Sequence, residues 1–220
     1  IGYAQISHKL AVVAVHYNHR LWLIQLTTNN TSVYSGQCQP SAHQDGSPGQ
    51  INYPHSVVID KRDKNQLLVT EYNNKAVRTV NVSSRVLGMF LMSDSLRGIT
   101  GITQDEKSGD LYVTAYNAVY RIAYTQRNVS LISGSPGYLS RGYIDSTLLK
   151  SLFDYPVHLI VITPGTLLLA DQKNKKLRLV DMKSDKVTAL NVKNLLNAPA
   201  SLLLTNDSLY VGQWRKITQC

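Results

Sequence analysis

The chain of 220 residues has few of the features that mark metal-binding, membrane-spanning or catalytic proteins. It contains two cysteines, Cys38 and Cys220, and no close Cys/His spacing of the kind that holds zinc. No apolar run approaches the roughly 18 residues of a membrane span, so no transmembrane segment is predicted. No signal peptide is recognisable, and we expect a mature chain.

Motifs of the common enzyme classes are also missing. The sequence has no Gly-x-Ser-x-Gly, no phosphate-binding loop and no dinucleotide fingerprint. Four of the six histidines, His8, His16, His19 and His43, show no ligand spacing. We therefore predict a protein that is not an enzyme and has no cofactor.

Acidic residues are fewer than basic ones, with 14 Asp+Glu against 23 Lys+Arg and a net charge of +9. The basic residues are scattered, and Lys173, Lys175 and Lys176 form the one tight cluster. Scattered charge is a poor nucleic-acid footprint, so no nucleic-acid partner is predicted. The basic surface serves solubility or suits acidic glycans or anionic membranes. A hydrophobic content of 43% is enough for a real core.

The chain contains one β-hairpin pattern that recurs about five times. The clearest copy is residues 167–181, an apolar run followed by a polar turn, an alternating run and a closing Asp. Relatives lie at 67–81 and 111–122, and weaker ones at 11–24 and 209–217. Their turns, centred on Tyr17, Tyr72, Tyr116, Gln172 and Gln213, are 41 to 56 residues apart. Each interval has room for four short strands, as in a propeller blade.

The sequence thus predicts an all-β fold, a β-propeller of four-stranded blades forming a single domain over residues 1–220. Five blades are preferred and six are the alternative. We name the strands of a blade a to d from inside to outside. Their predicted ranges are 2–7, 10–17, 20–26 and 31–35; 56–60, 66–72, 76–81 and 85–91; 98–103, 110–116, 119–124 and 129–133; 157–163, 166–171, 176–181 and 186–191; and 200–205, 208–212 and 215–220. The nearest helix candidate, residues 145–153, is predicted to be a short helical turn.

Turn residues mark the connections between blades. Ser35-Gly36 leads to Asn52-Tyr53-Pro54, and Ser133-Gly134 leads to Asp154-Tyr155-Pro156. The aspartates in these connections, Asp45 and Asp145, are expected to cap their own turns or to bind calcium with loop carbonyls.

The repeat resembles the NHL-repeat β-propeller family over most of residues 50–215. The residues that match the family pattern position by position are Ala170, Asp171, Asn174, Lys176, Leu177, Val180 and Asp181. A looser match is formed by Glu71, Asn74, Val77, Val80 and Asn81. The resemblance implies fold and says little about function. One NHL-fold enzyme class binds zinc through three channel-facing histidines; His55 looks like one ligand and His158 lies one residue later, but no third match exists, since Thr100 and Ala200 occupy the other strand-a starts.

The predicted binding residues lie at the b–c turns, which share one face, the top face, with the d-to-a connections. They are aromatic rings and amides suited to sugar C–H faces and hydroxyls: Tyr17, Asn18, Tyr72, Asn73, Tyr116, Asn117, Gln172, Asn174, Gln213 and Trp214. The same residues also fit a purely structural use, in hairpin turns and in packing against the next blade. No metal site or catalytic residue is predicted.

Five Asn-x-Ser/Thr sequons favour the secretory pathway and fall on the opposite, bottom face. The overlapping pair is at Asn29 and Asn30; the predicted glycosylation sites are Asn30, Asn81, Asn128 and Asn206. A Cys38–Cys220 disulfide would join the first and last blades and so close the ring. However, Cys220 ends a predicted strand c, which should place it on the bottom face, opposite to Cys38.

These observations favour a secreted, lectin-like protein that binds glycans or glycoproteins through its top face. The alternatives are a protein-interaction propeller or ectodomain fragment, a zinc-dependent lyase-like enzyme and, last, the RNA binding known for some NHL domains.

Overall fold

The computed structural model describes residues 2–37, 44–47, 49–191, 197–206 and 208–213. They form an all-β propeller of consecutive antiparallel sheets, in which each strand pairs with the next one along the chain. Blade 1 has β1 (Tyr3–Ser7), β2 (Leu10–Val15), β3 (Arg20–Gln25) and β4 (Thr31–Ser35). Blade 2 has β5 (Pro54–Ile59), β6 (Gln66–Glu71), β7 (Ala76–Asn81) and β8 (Leu87–Met92). Blade 3 has β9 (Ile99–Gln104), β10 (Leu111–Ala115), β11 (Ala118–Ile122) and β12 (Val129–Gly134). Blade 4 has β13 (Pro156–Thr163), β14 (Thr166–Asp171), β15 (Lys176–Asp181) and β16 (Lys186–Ala189), and sheet 5 has β17 (Pro199–Leu204) and β18 (Leu209–Gln213).

The number of complete blades corrects the expectation of five or six. The described residues form four four-stranded blades and a two-stranded fifth sheet. The third strand predicted for the fifth blade, residues 215–220, lies outside the described residues. The expected helical turn is confirmed as a 3₁₀ turn at Leu148–Lys150, and two others occur at His16–Asn18 and Asp94–Leu96.

Each interface between neighbouring sheets has its own apolar core. Successive side chains of a strand point to opposite faces, so one strand serves two interfaces. In β6, Leu67 and Val69 pack toward blade 1, whereas Leu68 packs toward blade 3. In β14, Leu169 faces blade 3 and Leu168 faces sheet 5. Each such buried side chain stabilises the fold by about 1.5–3 kcal/mol, which explains why the inner strands read as continuous apolar runs.

Left-handed backbone conformations recur at three equivalent places in the blades. They occur at the b–c turn, at the c–d turn and at the residue that precedes strand a. The non-glycine members are His19, Lys75, Tyr116 and Lys175; Asn29, Arg85, Arg127 and Asp185; and Tyr53, Tyr155 and Ala198. Gly98 has the same role before β9, with φ of 68°. The repeat therefore fixes backbone shape at these places even where the sequence supplies no glycine.

Two buried arginines tie the inter-blade connections to the blades. Arg78 binds Glu71 at 3.2 Å within blade 2 and Asp45 at 2.5 Å in the connection before it. Neither Arg78 nor Glu71 is exposed to solvent. Asp45 therefore pairs with an arginine, a role that the expectation of a turn cap or calcium ligand missed.

Blade 4 repeats this arrangement. Arg178 contacts Asp171 at 2.8 Å and Asp145 at 2.6 Å, and Asp145 also accepts a hydrogen bond from the N–H of Ala189. Burial raises the pKa of Asp171 to about 6, against the opposing effect of Asn174, Arg178 and the backbone N–H of Asp154. Both connections belong to the top face, so these ion pairs hold its loops in place.

Candidate functional site

The predicted b–c tyrosines converge on one place at the top face. Tyr17, Tyr72 and Tyr116 come from blades 1, 2 and 3, and three further tyrosines from the d-to-a connections join them. The group, called the tyrosine cluster below, consists of Tyr17, Tyr53, Tyr72, Tyr116, Tyr138 and Tyr155. The structure brings these rings together as one shared aromatic surface at the top face.

His16 lies against the blade 1 side of the tyrosine cluster. Its ring centroid is 4.9 Å from those of Tyr17 and Tyr53 and 5.7 Å from that of Tyr72, in edge-on contacts. His55, from the next strand a, lies 5.5 Å away. Tyr17 is 82% exposed, so much of its ring remains accessible to a ligand.

The hydroxyls of Tyr72 and Tyr155 stay protonated at neutral pH. Burial raises the pKa of Tyr72, and the nearby hydroxyls of Tyr116, Tyr138 and Tyr17 raise it further. Burial also raises the pKa of Tyr155 to about 12, and the nearby hydroxyls of Tyr72 and Tyr17 raise it further. The cluster therefore presents neutral donor and acceptor groups beside apolar ring faces.

A cavity of about 420 Å³, called the channel cavity below, adjoins the tyrosine cluster and shares Tyr17 and Tyr155 with it. Blades 1, 2 and 4 and sheet 5 contribute to its wall, which is mostly apolar: Val13, Val15, His16, Tyr17, His55, Tyr155, Val157, Gln172, Ala198 and Ala200. Burial lowers the pKa of His55 to about 3 and that of His158 to about 4. Both imidazoles are therefore neutral at physiological pH, and His55 brings no charge to the channel cavity.

The amides predicted to bind ligand have different roles. Asn117 is buried, with 3% of its surface exposed, and its Nδ2 donates to the carbonyl oxygens of Gly137 and Tyr138. Asn174 donates to Asp171 and to the carbonyl oxygen of Gly142. These two amides hold loops of the top face.

The remaining predicted positions are spread more widely. Gln172 lines the channel cavity, Asn18 lies in the 3₁₀ turn with Tyr17, and Asn73 is exposed at its turn. Gln213 accepts a hydrogen bond from the N–H of Asn197 at 2.6 Å. Trp214 lies outside the described residues.

A second cavity, called the Tyr116 cleft below, adjoins the tyrosine cluster. Its volume is about 510 Å³, and it lies between the connection after blade 2 and the outer strands of blade 3. Its lining comprises Asp94, Ser95, Arg97, Ala115, Tyr116, Tyr120, Val129, Leu131, Pro136 and Gly137.

The sequon asparagines lie at turns on the opposite, bottom face. Asn30 and Asn128 are exposed in c–d turns, and Asn206 is exposed in the a–b turn of sheet 5. Asn81 is half-buried, and its Oδ1 accepts hydrogen bonds from the N–H groups of Ser83 and Ser84. Attachment of glycans to these residues stays a prediction.

The disulfide prediction and the question of a metal site concern different parts of the chain. Cys38 and Cys220 lie outside the described residues, so their pairing stays a prediction. Within the described part of the chain, no group of three or more His, Cys, Asp or Glu side chains could hold a metal ion. His158 instead accepts a hydrogen bond on Nδ1 from the N–H of Leu202, which links blade 4 to sheet 5.

Sequence reasoning missed half of the tyrosine cluster. Tyr53 and Tyr155 directly precede the prolines that begin β5 and β13, and Tyr138 lies in the connection between blades 3 and 4. The signal was present in the repeated Tyr-Pro pair, because the d-to-a connections share a face with the b–c turns.

Comparison with known proteins identifies the fold. No protein-family model matches the chain, and no curated protein matches it in sequence. A chain from a nidogen/laminin complex superposes with a TM-score of 0.69 at 13% identity, covering 97% of this chain and 72% of that one. Virginiamycin B lyase from Staphylococcus aureus gives 0.64 at 13% identity, covering 96% and 62%. A protein of unknown function from Bacteroides thetaiotaomicron gives 0.64 at 15%, covering 96% and 66%.

These neighbours are β-propellers of varied function, and the chain is a β-propeller protein. It spans less than two thirds of the lyase chain. Identities this low show the fold alone. Among the described residues no helix is long and apolar enough to cross a membrane.

Proposed function

We propose that this protein is a secreted, non-enzymatic recognition propeller of the NHL type that binds glycans at the tyrosine cluster. The observation that carries the proposal is the convergence of tyrosines from blades 1, 2 and 3 and from the connections onto one partly exposed surface. Several rings close together allow one oligosaccharide to contact several at once, so individually weak contacts add up.

The chemistry of the tyrosine cluster suits a neutral, hydroxylated ligand. An exposed ring such as Tyr17 offers an apolar platform for the C–H face of a sugar. The protonated hydroxyls of Tyr72 and Tyr155 and the amide of Gln172 donate and accept hydrogen bonds. The neutral His55 adds no charge that a neutral sugar would have to desolvate.

Exposure of sequon asparagines on the bottom face supports secretion. Asn30, Asn128 and Asn206 are exposed, which glycan attachment requires. Glycans there would crowd the bottom face and leave the top face for binding. Mass spectrometry of material from secreting cells tests occupancy and the Cys38–Cys220 pairing together.

A protein partner is the second candidate, favoured by an exposed apolar loop beside the tyrosine cluster. The connection between blades 3 and 4 exposes Tyr138 by 54%, Leu139 by 85% and Leu149 by 65%. Exposed apolar patches of this kind mark interaction surfaces in monomeric proteins. One structural neighbour comes from a complex, that of nidogen and laminin. A partner whose affinity is insensitive to free sugars would favour this function.

A glycan array with the full chain tests the proposal, followed by calorimetric titration of any hit. We expect Tyr17→Ala and Tyr72→Ala each to weaken binding by about tenfold, since each removes one ring. Tyr210→Ala is the matched control, because Tyr210 is 59% exposed but lies near the a–b turn of sheet 5 on the bottom face. Absence of any bound glycan, or equal losses in all three variants, would overturn the proposal.

The zinc-dependent alternative has its own test. Stoichiometric zinc in the purified protein that is lost in His55→Ala would revive an enzymatic function.

A further inference from the structure

The Tyr116 cleft differs from the channel cavity because charged groups lie at its edge. It shares Tyr116 with the tyrosine cluster, so a ligand seated on the cluster can extend into it. Asp94 and Arg97 come from the connection after β8, and Tyr120 and Leu131 form an apolar wall from blade 3.

The ring of Tyr116 is held in a fixed position. Its backbone is left-handed, with φ of 47°, and its ring contacts that of Tyr138 at a centroid distance of 5.8 Å. Gly98 also lies close to the ring: a Cβ atom added there would be 2.3 Å from Cε1 of Tyr116. Because a side chain at residue 98 would displace the ring, glycine is what allows Tyr116 to stand where it does. A fixed ring loses little entropy when a ligand stacks on it.

The charge balance at the cleft is positive. The carboxylate of Asp94 is engaged by the Lys75 ammonium at 2.5 Å. Arg97 is exposed and forms no ion pair with any residue in the part of the chain that the structure describes. Its guanidinium therefore remains available to an anion. The net charge of +9 favours the approach of such a ligand.

We propose that the Tyr116 cleft is a subsite for a carboxylate-bearing sugar, with the sugar ring against Tyr116 and its carboxylate on Arg97. A guanidinium presents two parallel N–H donors that match the two oxygens of a carboxylate. This inference rests on the proposed glycan binding at the tyrosine cluster and names its ligand class as acidic oligosaccharides. Arg97 accounts for the preference for acidic over neutral sugars, and the tyrosine cluster accounts for the affinity that both kinds of sugar share.

The test compares sialylated lactose with lactose by calorimetric titration of the full chain at low and high salt. We expect the sialylated sugar to bind about tenfold more tightly, as a charge-assisted hydrogen-bond pair provides. High salt should reduce this preference. Arg97→Gln should abolish it while leaving the affinity for lactose unchanged. Lys186→Gln, which removes the same charge from an exposed residue at the bottom face, should retain it.

Each other outcome is decisive. Equal affinities for the two sugars in the wild type, or an unchanged preference in Arg97→Gln, would overturn the subsite and leave the proposed function standing. Tighter binding of sulfated lactose than of sialylated lactose would overturn the carboxylate assignment. Failure of both sugars and of every array glycan to bind would overturn the subsite together with the proposed function.

Discussion

The side-chain oxygen of Asn117 accepts a hydrogen bond of 3.0 Å from the backbone N–H of Tyr155. Asn117 lies in the b–c turn of blade 3, and Tyr155 directly precedes the first strand of blade 4. A single amide therefore sets the position of a neighbouring blade's tyrosine within the tyrosine cluster. It also holds the loop that carries Tyr138, through its Nδ2 donor group.

We predict that Asn117→Ala lowers the free energy of unfolding by about 1–3 kcal/mol, because it leaves three partly buried backbone groups without their partner. It should also weaken binding at the tyrosine cluster, since Tyr138 and Tyr155 lose their support. Urea denaturation measures the first effect. Asn73→Ala is the matched control, because Asn73 is the exposed asparagine of the blade 2 turn, and its cost should stay below about 0.5 kcal/mol. Equal costs in the two variants would contradict the assignment.

Loss of a buried arginine should be severe. Arg178→Met leaves Asp171, which is fully buried, without its ionic partner, and we expect a loss of about 3–5 kcal/mol at pH 8. The loss should be smaller at pH 5, because protonation of Asp171, whose pKa burial already raises to about 6, removes the buried charge. Arg121→Met, which breaks a partly exposed pair with Asp110, should cost about 1 kcal/mol or less. If Arg178→Met lost no more stability than Arg121→Met, the Arg178–Asp171 ion pair would not be essential to the fold.

The fold should lose stability in mild acid through its buried histidines. His158 has a folded-state pKa of about 4 against 6.5 for the ordinary group, so the unfolded chain takes up a proton first as pH falls. The stability that depends on a neutral His158 is fully present above pH 6.5 and is lost as pH falls from about 6.5 toward 4. Between pH 7 and 5, the wild type should lose about 2 kcal/mol more than His158→Gln, measured by urea unfolding. His8→Gln, at an exposed position, should keep the wild-type pH slope.

The left-handed turn positions offer a stabilising change. Lys175 has φ of 55° in the b–c turn of blade 4, a conformation that glycine adopts without a Cβ penalty. Lys175→Gly should raise the free energy of unfolding by about 0.5–1 kcal/mol. The neighbouring Lys176 lies in β15, so Lys176→Gly removes the same charge but should destabilise by a similar amount. Thermal melts of the two variants should shift in opposite directions.

The sequence predicts the scaffold well because the repeat is periodic and local. The ranges of β4, β7, β14 and β15 are confirmed residue for residue, and other strands differ by one or a few residues at their ends. The apolar runs predict inner strands because both of their faces are buried. The fifth strand a, which begins at Pro199 rather than at residue 200, shows the usual imprecision at a strand end.

What the sequence does not predict depends on contacts between distant segments. The ion pair of Arg78 with Asp45 joins a strand of blade 2 to the connection before that blade, and no local pattern marks it. Asn117 and Asn73 look alike in their turns, yet one is buried and the other is exposed. The difference arises because the loop carrying Tyr138 covers Asn117, and its course is set by packing between blades 3 and 4.

The wall of the channel cavity joins the two ends of the described ring. Val13 and Val15 belong to blade 1, and Ala198 and Ala200 belong to the end of the described chain. No hydrogen-bonded strand pairing connects blade 1 to sheet 5 among the described residues. A molecule bound there would contact both blade 1 and sheet 5 and would hold them together. Its binding would therefore stabilise the folded protein against unfolding. At a concentration of 100 times Kd it would add about 2.7 kcal/mol, and the resulting rise in melting temperature would reveal such a molecule whatever its chemistry.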